Sequence, residues 1–124
     1  MQDKMTYEAK SEAAETRRAQ LLKGLAELAL LSVLKARAHY GLEILDRLRG
    51  EAGLNLAEGT IYPLLHRLEK AGLTRAEWRI EEGGARPRKY YALTEIGRAE
   101  LVEQQAEWTR VSASLGGFLE RGGE

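Results

Sequence analysis

Between Glu81 and Arg88 the sequence reads Glu-Glu-Gly-Gly-Ala-Arg-Pro-Arg, and Lys89 follows at once. Arg86, Arg88 and Lys89 therefore crowd beside a glycine turn that a proline stiffens. Cations gathered on a short loop can replace the counterions condensed on nucleic-acid phosphates. A second cluster lies upstream. Thr60, Tyr62, Pro63, His66, Arg67 and Lys70 fall on the side of a helical repeat opposite Ile61, Leu64, Leu65 and Leu68. Hydroxyl, imidazole and cationic groups on one helix face can meet base edges and phosphates in a major groove about 12 Å wide. His66 reads as a helix-surface histidine first and a base reader second.

Enzymatic chemistry finds little footing. The chain has no cysteine, so it offers no disulfide framework, thiolate metal site or thiol nucleophile. His39 has no carboxylate or hydroxyl at a spacing that suggests a triad partner, and it reads as a turn or hydrogen-bonding residue. No metal-ligand cluster and no glycine loop beside a Lys-Ser or Lys-Thr pair occurs. The expectation is a protein that is not an enzyme, with neither cofactor nor metal.

The charge is instructive only once divided. Lys+Arg and Asp+Glu number 19 each, a formal net charge of zero. From Thr60 to Tyr91, seven basic residues face four acidic ones, an excess of three positive charges; from Ala92 to Glu124, three basic residues face six acidic ones. A basic middle is thus joined to an acidic tail, a pattern that hints at nucleic-acid contact in one part of a chain. With 44% hydrophobic and 31% charged residues over 124 positions, the chain can bury a core but cannot make two full domains. The longest apolar stretch, Leu25 to Leu34, is interrupted by Glu27 and Ser32 and is too short to span a bilayer. No secretory signal is visible, so the expected location is cytoplasmic and no membrane partner is expected.

The elements that must position these residues follow from apolar spacing. Met1 to about Ser11 carries no apolar stripe and is expected to be mobile or a loosely held helical extension. Helix formers then take over. Leu21, Leu25, Leu28, Leu31 or Ser32 and Leu34, widened by Leu22, Ala29, Leu30 and Val33, predict one helix central to the core. A second, short helix should turn Leu42, Ile44, Leu45 and Leu48 inward and end in a left-handed turn near Gly50. The third helix carries the Ile61 to Leu68 face and stops at Gly72. Pro63 fits it if Thr60 is the cap, because the first turn needs no proline N–H. Leu73 to Ile80 and Lys89 to Leu93 read as the strands of one hairpin. Tyr90 and Tyr91 should alternate, one in the core and one exposed, both structural. Thr94 should cap a last helix with Glu95 in its first turn. Leu101, Trp108, Val111, Leu115 and Phe118 follow a seam on that helix, interrupted by Gln104 and weakened near its end by Gly116 and Gly117.

Helices followed by a two-stranded hairpin make a mainly α fold with a small β wing, the order of a winged helix-turn-helix plus a C-terminal helix. Residues 1–20 would be an extension, 21–93 the DNA-binding unit, 94–119 a dimerisation helix and 120–124 a tail. The segments GTIYPLLHRLEKAGL, GGARPRKYYALTEIGRAEL, LLKGLAELALLSVL and HYGLEIL resemble the PadR-like transcriptional regulators over roughly residues 21 to 115. The resemblance implies a homodimeric repressor that binds an inverted-repeat operator in double-stranded DNA and leaves it on binding a ligand. It implies Tyr62 and Arg67 as recognition-helix residues and Arg86, Arg88 and Lys89 as the wing. It also places Trp108 where one group of the family stacks planar, often cationic ligands between subunits. This sequence departs from that group at Ser112 and Ala113, where acidic and basic side chains are usual, and from the family at Ala57, where Ser or Asn is. Trp108 could close the dimer seam or line an effector pocket within it. A different class of function, a winged-helix protein–protein adaptor without DNA binding, stands as the alternative.

Overall fold

Apolar residues recurring every three or four positions gather into one core in the computed structural model, which describes residues 4–84 and 86–124, with side chains from residue 8 onward. The first three residues of the expected N-terminal extension lie outside the described residues. The chain runs α1 (Lys4–Leu22), α2 (Ala26–Val33), β1 (His39–Tyr40), α3 (Gly41–Gly50), α4 (Glu58–Lys70), β2 (Thr74–Arg79), β3 (Arg88–Leu93) and α5 (Glu95–Glu120). This is a mainly α winged-helix fold with a small antiparallel sheet and a C-terminal helix, as expected.

The single helix expected through Leu34 is broken in two. Gly24, at φ +93°, turns the chain between α1 and α2 in the left-handed region that glycine tolerates. The physical reason is the lack of an apolar face upstream: every side chain from Glu8 to Leu21 is exposed, Leu21 included. The central helix is α2, whose end buries Leu30, Leu31 and Leu34. In α3, Ile44, Leu45 and Leu48 are buried, but Leu42, in the first turn, is exposed. Nor does Gly50 turn left-handed; it closes α3 in helical geometry, and Gly53 carries the positive φ of +69°.

Ile61, Leu64, Leu65 and Leu68 of α4 lie on the core side, and Gly72, at φ +79°, ends the helix as expected. The cap differs. Ala57 is the extended residue before α4, and its carbonyl accepts from the Thr60 and Ile61 amides at 3.0 and 3.1 Å; no side chain caps the helix. Thr60 is therefore inside the first turn and Pro63 in the second. Pro63 leaves the Gly59 carbonyl without its usual donor four residues on, a loss that costs least on the exposed face, where water reaches the carbonyl.

The hairpin forms with Ala76 opposite Tyr91 and Trp78 opposite Lys89. What the strand pattern did not predict is β1, two residues that pair His39 with Tyr91 and Tyr40 with Tyr90 and make β3 the central strand. Tyr90 and Tyr91 are consequently both buried. Tyr91 joins the core, whereas Tyr90 is covered on the other face by Tyr40, edge-on at 5.5 Å, and by the Arg79 guanidinium 4.5 Å from its centroid. His39 is buried and structural: its Nδ1 is 2.9 Å from the Arg37 carbonyl and its Nε2 is 3.0 Å from Arg47 Nη1. Guanidinium only donates, so Nε2 accepts and the proton sits on Nδ1, donated to Arg37.

Thr94 joins sheet to α5. Its Oγ1 accepts from the Gly97 amide at 3.0 Å, the expected cap, and donates to the Gly72 carbonyl at 2.6 Å. Gly97 allows this approach, since a Cβ there would collide with the Leu73 carbonyl oxygen. No helix among the described residues is long and apolar enough to cross a membrane. Replacing Gly97 with Ala should lower stability by about 2 kcal/mol or more through backbone displacement at this junction. A drop in thermal midpoint under circular dichroism is the expected readout, and an unchanged midpoint would contradict the close packing of α5 on the Leu73 turn.

Candidate nucleic-acid interface

Burying the leucine face of α4 leaves only one direction for its polar residues. Thr60, Tyr62, Pro63, His66, Arg67 and Lys70 are all exposed. At 100° per residue they divide into a crest and two flanks. Pro63, His66 and Lys70 form the crest; Tyr62 lies toward the sheet, and Thr60 and Arg67 lie toward α2. Among the described residues, the side chains of His66 and Lys70 make no hydrogen bond or ion pair.

Tyr62 is 42% exposed, and its ring lies over Gly41, where a Cβ would come within 2.7 Å of Tyr62 Cε1. Glycine at the start of α3 thus lets the two helices of the motif approach and holds the ring. Burial, assisted by the charge of Glu58 and the neighbouring Tyr91, raises the Tyr62 pKa, so the hydroxyl remains a donor near neutral pH. Arg67, on the other flank, faces the Glu27 carboxylate of α2 at 3.5 Å.

The cations of the hairpin are held in unequal states, and Lys89 is the one that reaches α4. Arg86 makes no ion pair among the described residues and is exposed. Arg88 lies 4.4 Å over the Tyr40 ring and 3.6 Å from Glu81. Lys89 is turned toward α4, where its Nζ donates to Glu69 Oε1 at 3.1 Å and stands 5.4 Å from the Tyr91 centroid. The hydrogen bond to Glu69 raises the Lys89 pKa, so the ammonium stays charged and ties the wing to the helix. Sequence reasoning missed Arg79, which stacks on Tyr90 while its Nε donates to Glu77 at 2.6 Å. The Tyr90 hydroxyl in turn donates to Glu81. Tyr40, Tyr90, Arg79 and Arg88 thus form one stacked group on the sheet face away from the core. Its sequence signal, the alternation of β3 against β2, is present, but the group closes only through β1.

The seam on α5 separates into two parts. Leu101 is buried in the protomer's own core, whereas Trp108, Val111, Leu115 and Phe118 are each about half exposed and in line. Trp108 stands between two hollows. One, of about 510 Å³, is walled by Leu28, Val33, Leu48 and Leu54, with Arg47 and Glu51 at its rim. The other, a groove of about 830 Å³, runs between α2, the Pro63 and Arg67 flank of α4, and Val111 and Leu115 of α5; Glu27, Gln104 and Glu107 supply its polar wall. No group of side chains suited to holding a metal ion occurs among the described residues.

Residues 30–103 match the transcriptional regulator PadR-like family. The chain belongs to that family. A PadR family transcriptional regulator from Eggerthella lenta superposes with a TM-score of 0.77 at 33% identity, over 90% of this chain and 96% of that one. A PadR-like regulator from Bacillus cereus gives 0.73 at 33% identity, over 81% of this chain and 96% of that one. A protein of unassigned function from Lysinibacillus sphaericus is 30% identical over 106 residues, which cover 83% of this chain and 95% of the relative. A transcriptional regulator of Mycobacterium tuberculosis is 45% identical over 53 residues, covering 43% of this chain and 48% of that protein. The PadR-like match takes in α3, α4, the hairpin and the start of α5. The half-exposed apolar row from Trp108 onward lies beyond it.

Proposed function

We propose that this PadR-like protein is a homodimeric, ligand-responsive repressor that binds an inverted repeat in double-stranded DNA. In this reading α4 of each subunit enters the major groove, and the hairpin loops contact the adjoining backbone or minor groove. The two half-sites would lie about one helical turn, ~34 Å, apart. The observation that carries the reading is the crest of α4: the His66 and Lys70 side chains are exposed, without intramolecular partners among the described residues, and flanked by Tyr62, while the wing is tied to the same helix by Lys89 and Glu69 and leaves Arg86 and Arg88 exposed. Thr60 and Pro63 start the same surface, Arg67 borders it, and Lys89 positions the wing through Glu69.

The homodimer rests on α5. Trp108, Val111, Leu115 and Phe118 form an apolar row about half exposed in one protomer, and a second copy of the same helix is the complementary surface nearest to hand. An effector, in this reading a planar aromatic molecule, would stack on Trp108 in the groove beside Glu27 and Glu107.

Fluorescence anisotropy with DNA from upstream of the protein's own gene, against a scrambled duplex, tests the reading. A specific complex should form, with log affinity falling linearly in log salt. Arg86→Glu with Arg88→Glu should weaken it and flatten the slope by roughly 0.9 for each phosphate that the protein no longer neutralises. Absence of a specific complex at low salt, or unchanged affinity of the double variant, would overturn it; a stable complex with another protein in that case would favour the adaptor.

Leu115→Glu should convert the dimer to monomer in sedimentation velocity, and an unchanged sedimentation coefficient would remove α5 from the interface.

In a Trp78→Phe background, where Trp108 is the remaining tryptophan, a planar dye such as ethidium should quench the emission saturably. No quenching would remove Trp108 from an effector pocket.

A further inference from the structure

One carboxylate touches both working ends of the molecule. Glu27 lies in the first turn of α2, and its Oε1 faces Arg67 Nη2 of α4 at 3.5 Å. Its other oxygen, Oε2, accepts a hydrogen bond from Gln104 Nε2 of α5 at 2.6 Å. Gln104 is fixed in turn by a second hydrogen bond, to Glu100 one turn back, at 3.0 Å. The Glu27 side chain is 28% exposed and that of Arg67 69%, so the carboxylate is held while the guanidinium remains free to leave.

We propose that Glu27 is a regulatory residue that restrains Arg67 in competition with DNA phosphate, and that Gln104 of α5 sets the strength of that restraint. The proposal rests on the reading of α4 as the DNA-contacting helix. A phosphate and a carboxylate compete for the same guanidinium because both offer paired anionic oxygens to its fork. Arg67 on the α2 flank can reach only one of them at a time. The carboxylate also forms part of the groove wall beside Trp108. Whatever shifts α5 there, whether a partner helix or a small molecule, moves Gln104 and with it the hold of Glu27 on Arg67. Gln104, the polar residue that interrupts the apolar row of α5, thereby acquires a role that packing does not give it.

The test is a set of DNA titrations on the full chain, using the duplex from upstream of its own gene. Glu27→Gln removes the charge and keeps the shape, so affinity should rise about two- to fivefold, the span of a partly exposed ion pair. Glu27→Asp, which withdraws the charge by one methylene, should give a smaller rise. The gain should vanish in an Arg67→Gln background, which separates release of Arg67 from the general effect of removing a negative charge near DNA. Gln104→Ala should raise affinity in the wild type and add nothing to Glu27→Gln. Four results overturn the proposal: no gain from Glu27→Gln, a gain that persists without Arg67, no effect of Gln104→Ala in the wild type, or additive effects of Glu27→Gln and Gln104→Ala. If the wild type binds no DNA, the reading of α4 fails and this inference with it; if it binds and any of the four results appears, the inference alone fails.

Discussion

Ile61, Leu64, Leu65 and Leu68 must leave water, and they do so in one cluster with Leu30, Leu31 and Leu34 at α2, Ile44, Leu45 and Leu48 of α3, and Tyr91 and Leu93 of β3. At about 1.5 to 3 kcal/mol for each large side chain buried, that requirement fixes the rotation of α4. The outward direction of Pro63, His66 and Lys70 is its consequence. The wing is aligned to the same helix from the other side, by the Lys89–Glu69 ion pair and by Tyr91 in the core. Thr94 and Gly97 then anchor α5 at the Leu73 turn. One buried face thus sets both the presented surface and the direction in which the terminal helix leaves.

The neutral total charge acquires a structural meaning. Of the seven cations between Thr60 and Tyr91, four have a carboxylate partner: Arg67 with Glu27, Arg79 with Glu77, Arg88 with Glu81 and Lys89 with Glu69. These are exposed or half-exposed pairs, each worth about 1 kcal/mol or less, so they orient cations without locking them away. A surface of this kind keeps its cations in place and can exchange a carboxylate for a phosphate at small cost. Stacking on Tyr40 and Tyr90 does the same for Arg88 and Arg79, by holding planar guanidinium groups against rings.

What can be read from the sequence is what depends on neighbours three or four residues apart. The leucine face of α4, the hairpin, the Thr94 cap and the exposed crest all follow from local spacing. Elements set by distant partners do not. β1 is two residues long and has no periodicity of its own; it exists because β3 offers a free edge to His39 and Tyr40. Alternation would leave one of Tyr90 and Tyr91 at the surface because it assumes a solvated second face, and Tyr40 and Arg79 cover that face over Tyr90. Thr60 resembles a cap because its side chain can serve as one, whereas Ala57 occupies the position and contributes only its carbonyl. Gly24 breaks the first helix because from Glu8 to Leu21 no side chain is drawn onto the core, and contact with it begins at Leu22. Glu27, Glu69 and Glu81 carry no signal, because their partners lie on other elements.

The most direct measurement is a map of amide chemical-shift changes in the labelled protein as the duplex from upstream of its own gene is added. Orientation of α4 by its buried leucines predicts that the changes concentrate in residues 59–70 and 83–89, with His66, Lys70 and Arg86 among the largest and α1 nearly unmoved. Changes centred on α1 or on the acidic end of α5, with the α4 crest silent, would contradict it.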